Sequence, residues 1–243
     1  MIGRSLLSPC PSPQRGTKPS TVYATRALRQ PQSPIFHGQY WDAGHCHLAQ
    51  HLKPHTLATL KSHLAIKLRQ QGQANDPDKL HHRNAHLDQH IPELADILLG
   101  HDINQALQDL LGEPATLVRS TLIDKPCNST WHVKWHQDKS PLGFSNNHLD
   151  DQCLGDKLVA VRIHLDRSHK DNGGLQIIEA SHRHGLFNAE QLQSIIERPV
   201  RFLDQAAGEI MFMHPYIVHA SSPNTSQGCR RIIHCEYMAS SLV

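Results

Sequence analysis

The distribution of apolar residues changes character near the middle of the chain. From about residue 47 to 112 the leucines recur at helical steps. Leu52, Leu57, Leu60, Leu64 and Leu68 fall three, four or five residues apart in HLAQHLKPHTLATLKSHLAIKLRQQ. Pro54 must start or break that helix, because its ring removes a backbone donor and clashes with the preceding turn. The preceding HCHLAQH (45–51) is read as the helix opening. HIPELADILLG and NQALQDLLG follow as further helices, each closed by a glycine, Gly100 and Gly112, suited to a C-cap. Beyond Gly112 the period becomes two. ATLVRSTLI, TWHVKWHQD, KLVAVRIHLD, LQIIEASH, EIMFMHPYIVHA and RRIIHCEYM read as short strands, and DNGG at 171–174 as a turn between two of them. Helices first and then six or more strands predict an α+β domain, mainly β, whose strands close into a sandwich or barrel.

The first 35 or so residues stand apart. They are rich in Pro, Ser and Arg and carry no acid before Asp42. That composition fits a disordered tail, an organellar targeting segment or a misassigned start, with no apolar run of the kind secretion needs. The expected organisation is therefore a segment 1–35 and one domain over 36–243. Its helical part runs to about 112 and its strand-built core over about 113–240. A formal charge of +2 gives no global case for nucleic-acid binding. No run approaches the ~18 apolar residues of a membrane span. The six cysteines form no CxxC pair, so a reducing compartment is the default expectation, and with no peroxisomal signal in the terminal SSLV the cytoplasm is the expected location.

With 21 histidines, no single one means anything without its spacing. In TWHVKWHQD, His136 and Asp138 stand two apart and leave one face of a strand. His219, about eighty residues later at the end of another apolar run, could meet them from a partner strand. Two histidines and one carboxylate make a facial triad, which leaves open positions for ferrous oxygen chemistry. Eleven residues beyond His219 lies Arg230, at the head of the last strand. A guanidinium suits the far carboxylate of a metal-chelating 2-oxoglutarate, because its planar fork makes a bidentate, charge-assisted pair. Ser221 shares the strand parity of His219, so its hydroxyl could reach the same carboxylate.

WHQD, RIHLD, DNGGLQIIEASHRHG and HPYIVHASSPNTSQGCRRIIHCEY together resemble the phytanoyl-CoA dioxygenase family over roughly Thr121 to Tyr237. The resemblance implies a double-stranded β-helix (jelly roll) with N-terminal flanking helices. It implies an iron(II)- and 2-oxoglutarate-dependent dioxygenase that uses dioxygen, usually hydroxylates a small molecule and releases succinate and carbon dioxide. On that resemblance His136, Asp138 and His219 are the iron ligands, Arg230 the main anchor of 2-oxoglutarate, and Lys125 a further residue near it. The corner Ala180-Ser181-His182 departs from the family's Gly-Ser-His form, which touches a turn and not the metal. Asp138 stands where halogenating relatives carry a small residue, so hydroxylation or a related oxidation is implied.

Substrate contacts are expected from Trp135, Gln137 and the loop 139–152. His132 has the parity of His136, which would turn it toward the same side, and His182 is expected to satisfy backbone groups at a corner. The cluster His45, Cys46, His47 and His51 has zinc-type ligands but lacks the glutamate of an HExxH motif and a second ligand pair. Two rival readings stay open: a zinc hydrolase, and a non-catalytic jelly-roll protein that senses iron or 2-oxoglutarate.

Overall fold

The structure, a computed structural model, describes residues 34–48, 51–70, 86–138 and 154–243. Four helices precede most of the strands: α1 (Pro34–Ala43), α2 (Pro54–Gln70), α3 (Pro92–Leu98) and α4 (His101–Leu111). Pro54 and Pro92 open α2 and α3, where a missing N–H costs nothing. Gly112 closes α4 in the left-handed region (φ 72°), donating its N–H to Gln108 O at 2.9 Å. Gly100 differs from expectation. It has φ −71° and serves as the N-cap of α4, because only Leu99 and Gly100 separate the two helices and Leu99 is already the C-cap of α3.

Among the described residues nine strands form two antiparallel sheets. The larger has the order β1 (His45–His47), β7 (Ile210–Met213), β4 (Leu158–His164), β9 (Arg230–Ala239), β2 (Ala115–Lys125). The smaller runs β3 (Val133–His136), β8 (Val218–Ser221), β5 (Leu175–Ile178), β6 (Arg201–Phe202). This is the expected double-stranded β-helix with flanking helices. All seven residues of β4 are buried, because the large sheet is covered on both faces. On β9, Ile233, Cys235 and Tyr237 pack with Leu60, Leu64, Leu94 and Leu107 of the helices. The alternate residues, Arg230, His234 and Glu236, turn toward the small sheet and line a cavity.

Several boundaries shift. HCHLAQH does not open a helix: His45–His47 is a strand whose register is set by β7, with Cys46 opposite Phe212, so a distant partner overrides the local pattern. EIMFMHPYIVHA is two strands in different sheets, with Pro215 in the corner between them. α1 begins at Pro34 and buries Phe36 and Tyr40, so the expected boundary between residues 35 and 36 falls inside the first helix. A fifth helix, α5 (Ala189–Ile195), is held by a capping box: Asn188 Oδ1 accepts from Gln191 N at 2.9 Å, and Gln191 Oε1 from Asn188 N at 3.0 Å. Residues 1–33 and the loop 139–152 lie outside the described residues.

Candidate metal centre and its cavity

β3 and β8 bring the two histidines together. Their register places His136 directly opposite His219, and the ring centroids stand 4.1 Å apart. Each ring is fixed from behind. His136 Nδ1 donates to Lys134 O at 2.8 Å and His219 Nδ1 to Ile217 O at 2.9 Å. A carbonyl can only accept, so Nδ1 carries the proton in both rings and each Nε2 keeps a free lone pair. Both lone pairs approach Asp138 Oδ1, at 3.5 Å from His136 and 3.7 Å from His219. Asp138 lies just past β3, where its N–H donates to Pro215 O at 2.9 Å. One donor atom from each of the three lies within 4.8 Å of the others.

The electrostatics suit a cation. Burial alone would push the Asp138 carboxyl up, but His219, His136 and His234 outweigh it and hold the group well below the usual carboxylate range. Burial pushes His219 down to about 3, keeping its imidazole neutral and able to ligate. His136 also feels burial downward, yet the Asp138 carboxylate beside it and the Lys134 carbonyl move it above its ordinary value. Asp138 Oδ2 is buried with no partner among the described residues. A buried carboxylate with one oxygen lacking a donor and the other facing two imidazole Nε2 atoms fits a divalent metal ion.

A cavity of about 280 Å³ opens beside this cluster, lined by His136, Asp138, His219, Ser221 and Arg230 among others. Arg230 is 2% exposed and its Nε has no partner among the described residues; burial and nearby Arg162 push its guanidinium down to about 9. Lys125 is Arg230's cross-strand neighbour. Its Nζ donates to Ser221 Oγ at 3.1 Å and to Ser222 O, and sits 4.7 Å from the centre of the Trp131 ring. Burial and the Arg230 charge lower its ammonium to about 7. Asn224 secures this end of the barrel, donating to Lys125 O at 3.3 Å and to Pro126 O and Gly228 O at 2.7 Å each. Arg230, Lys125 and Ser221 therefore converge as the sequence suggested.

The substrate candidates do not converge. The Gln137 amide is committed to the backbone: Nε2 donates to Gly185 O at 2.8 Å and Tyr216 O at 2.7 Å, while Oε1 accepts from Phe187 N at 2.7 Å. It braces the segment between two ligands and has no atom left for a substrate. Trp135 packs against Ile178, Ile195 and Val218, away from the cavity. His132 is exposed, because a bulge between Val133 and His136 breaks the parity that linked them. His182 does serve a corner, with Nε2 3.2 Å from Trp41 O. His47 pairs with Glu209 at 2.7 Å, and the triad is the only metal-type cluster found among the described residues.

Sequence reasoning missed Arg162, Thr121, His234, Glu236 and Arg119, all of which line the cavity. His234 and Glu236 were readable, since both share the parity of Arg230 on β9. Arg162, inside VAVRIHLD, carries no local signal.

A model of the phytanoyl-CoA dioxygenase family matches residues 40–232. The chain belongs to that family. A methylphosphonate hydroxylase from Gimesia maris is 27% identical over 135 residues, 54% of this chain and 48% of that protein. The chain thus spans about half the length of this curated relative. Among solved structures, the α-ketoglutarate-dependent carbocyclase SnoK of nogalamycin biosynthesis superposes with TM-score 0.71 at 20% identity, covering 86% of this chain and 85% of SnoK. EctD from S. alaskensis, solved with bound iron, gives 0.70 at 20%, covering 90% and 81%. AviO1 from Streptomyces viridochromogenes gives 0.68 at 19%, covering 88% and 98%. These likenesses show a shared fold.

Proposed function

We propose that this chain is an iron(II)- and 2-oxoglutarate-dependent oxygenase that hydroxylates a small-molecule substrate, releasing succinate and carbon dioxide. The observation that carries the reading is the convergence of two imidazoles, each fixed through Nδ1 by a backbone carbonyl, on one buried carboxylate. The names of relatives agree with it: one hydroxylates methylphosphonate, and another is α-ketoglutarate-dependent.

In this reading His136, Asp138 and His219 would hold iron, and the co-substrates would bind beside them in the cavity. Bound iron supplies dioxygen activation, coupled to oxidative decarboxylation of 2-oxoglutarate. The protein's part is binding and orientation. Arg230 grips the far carboxylate through its fork, and Lys125 adds a second charge held in place by Ser221 and Ser222. The buried walls limit water and so strengthen each of these contacts.

The test is succinate release by the purified chain supplied with iron(II), 2-oxoglutarate and air. His219→Ala is expected to lose most bound iron and turnover, because three ligands leave no redundancy. Full iron occupancy in that variant would sink the ligand assignment. Iron and 2-oxoglutarate binding with no succinate under any substrate would favour the sensor alternative.

A further inference from the structure

The inner wall of the large sheet carries two cationic levels, and the oxygenase reading uses only one. Lys125 and Arg230 form the first, as direct cross-strand neighbours. Ile123, Ile232 and His164 form the level between, apolar except for the buried imidazole of His164. The next is a row across three strands, Thr121 on β2, His234 on β9 and Arg162 on β4, each opposite the next in register. His234 lies four residues from Arg230 along β9, roughly 13 Å of strand. All three side chains of this row line the cavity that holds the metal cluster.

Arg162 is the residue without an occupation. It is 6% exposed and its Nε has no partner among the described residues. The contact its guanidinium does make is NH1 to the Met213 sulfur at 4.0 Å, a soft acceptor that answers no charge. Asp138 supports its charge from a distance, but that carboxylate belongs to the metal in the oxygenase reading. The neighbouring arginines differ. Arg119 at the rim is paired with Glu236, and Arg231 on the opposite face with Asp166. A buried guanidinium facing open space is costly unless an anion completes it.

We infer that Arg162, with Thr121 on the same row and His234 between them paired to Glu236 at 3.4 Å, binds an anionic group, a carboxylate or a phospho group, on the small molecule to be oxidised. The inference rests on the oxygenase reading. The far carboxylate of 2-oxoglutarate is served by Arg230 and Lys125, and its keto-acid end by the metal, so the Arg162 charge is left for the substrate. The same placement gives Arg162 a specificity role: it would hold an acidic molecule by one end while a C–H bond elsewhere in it faces the metal. A neutral analogue would leave the guanidinium stranded, which is a strong basis for discrimination.

The test uses the full chain loaded with manganese(II) and 2-oxoglutarate, so that binding is read without turnover. Calorimetric titration first measures 2-oxoglutarate affinity, and failure there overturns the oxygenase reading itself. Propionate and ethylphosphonate are then titrated into the loaded enzyme, with propionamide as the uncharged control. At least one acid is expected to bind tenfold or more tightly than the amide, and the preference between the acids tells carboxylate from phospho group. Arg162→Met should remove that preference while changing 2-oxoglutarate affinity by less than about threefold. Arg162→Lys, which keeps the charge and loses the fork, should retain part of it and guards against a misfolded Met variant. Equal binding of acid and amide, no binding of either acid to loaded wild-type enzyme, or an Arg162→Met variant that keeps the acid preference would each overturn the inference. So would a tenfold loss of 2-oxoglutarate affinity in a folded Arg162→Met, which would assign the residue to the co-substrate.

Discussion

Arg230 and Arg231 are neighbours in sequence with opposite employment, and the strand parity decides it. Arg230 faces the cavity with its Nε unpartnered, while Arg231 makes a bidentate pair with Asp166 at 2.7 and 3.0 Å on the other face. Arg230→Ala is expected to weaken 2-oxoglutarate binding by roughly 3–5 kcal/mol, since the partner carboxylate is left buried and uncompensated. Metal binding should survive. Arg231→Ala should instead lower stability by roughly 1–3 kcal/mol and leave 2-oxoglutarate affinity intact. Titration calorimetry and denaturant melts separate the two, and reversed sensitivities would mean the parity is misread. Lys125 adds a pH signature. Its ammonium, lowered to about 7, is largely neutral at pH 8, and a bound carboxylate restores the charged form. Binding of 2-oxoglutarate at pH 8 should therefore take up a proton, and at pH 6, where Lys125 is already charged, it should not. Calorimetry in buffers of different ionisation enthalpy measures this, and Lys125→Met should abolish the uptake. The residues legible in the sequence were those whose chemistry is marked by spacing: the HxD pair, the distal histidine and the arginine eleven residues on. Arg162 was not, because its meaning comes from two neighbouring strands that sequence order does not reveal.

At the scale of elements, the DNGG turn does more than reverse the chain. Gly173 sits at φ +75° in the left-handed region, and a Cβ there would lie 2.7 Å from Lys125 Cδ, 2.8 Å from Lys125 Nζ and 2.5 Å from Ser222 O. The turn is tied to the segment after β8 by Thr225, whose N–H and hydroxyl both donate to Asp171 O at 2.9 and 3.0 Å. The glycine thus lets the turn close over the lysine. Gly173→Ala carries a left-handed penalty and must also displace Lys125. The expected result is a 2-oxoglutarate affinity lower by about tenfold, one decade being about 1.4 kcal/mol, with manganese binding unchanged. Lower stability with unaltered 2-oxoglutarate binding would remove the turn from the co-substrate site. The sequence marked the turn by composition alone, since a contact with β2 some fifty residues earlier leaves no local trace. β1 was lost for a related reason. Three residues, HCH, become a strand only because β7 offers a free edge, and the leucines after them suggested a helix.

Across the whole molecule, the helices support the site without touching it. The strands that present Arg162 and Arg230 to the cavity and carry Lys125 beside it turn their alternate residues toward α1 to α4, in one continuous core. Removing a helix should therefore loosen the wall that carries the cations. α1 is the sharpest case, because it lies at the edge of a segment that composition alone would discard. The compact unit containing the site spans Pro31–Val243, and α1 contributes Phe36 and Tyr40, 5% and 1% exposed. Phe36 meets the Phe212 ring edge-on at 5.4 Å, and the Tyr40 hydroxyl donates to Leu158 O at 3.4 Å. Truncating a buried aromatic costs roughly 3–5 kcal/mol, so losing both approaches the whole stability of an ordinary domain, about 5–15 kcal/mol. A chain lacking residues 1–33 is expected to melt cooperatively and bind manganese like the full protein. A chain lacking residues 1–43 is expected to lose its cooperative transition, and with it the metal. If the shorter chain melts and binds as the longer one does, α1 is an ornament on the sheet and the core is complete without it. If removal of residues 1–33 alone abolishes binding, that segment contributes to the domain and the boundary at α1 is wrong.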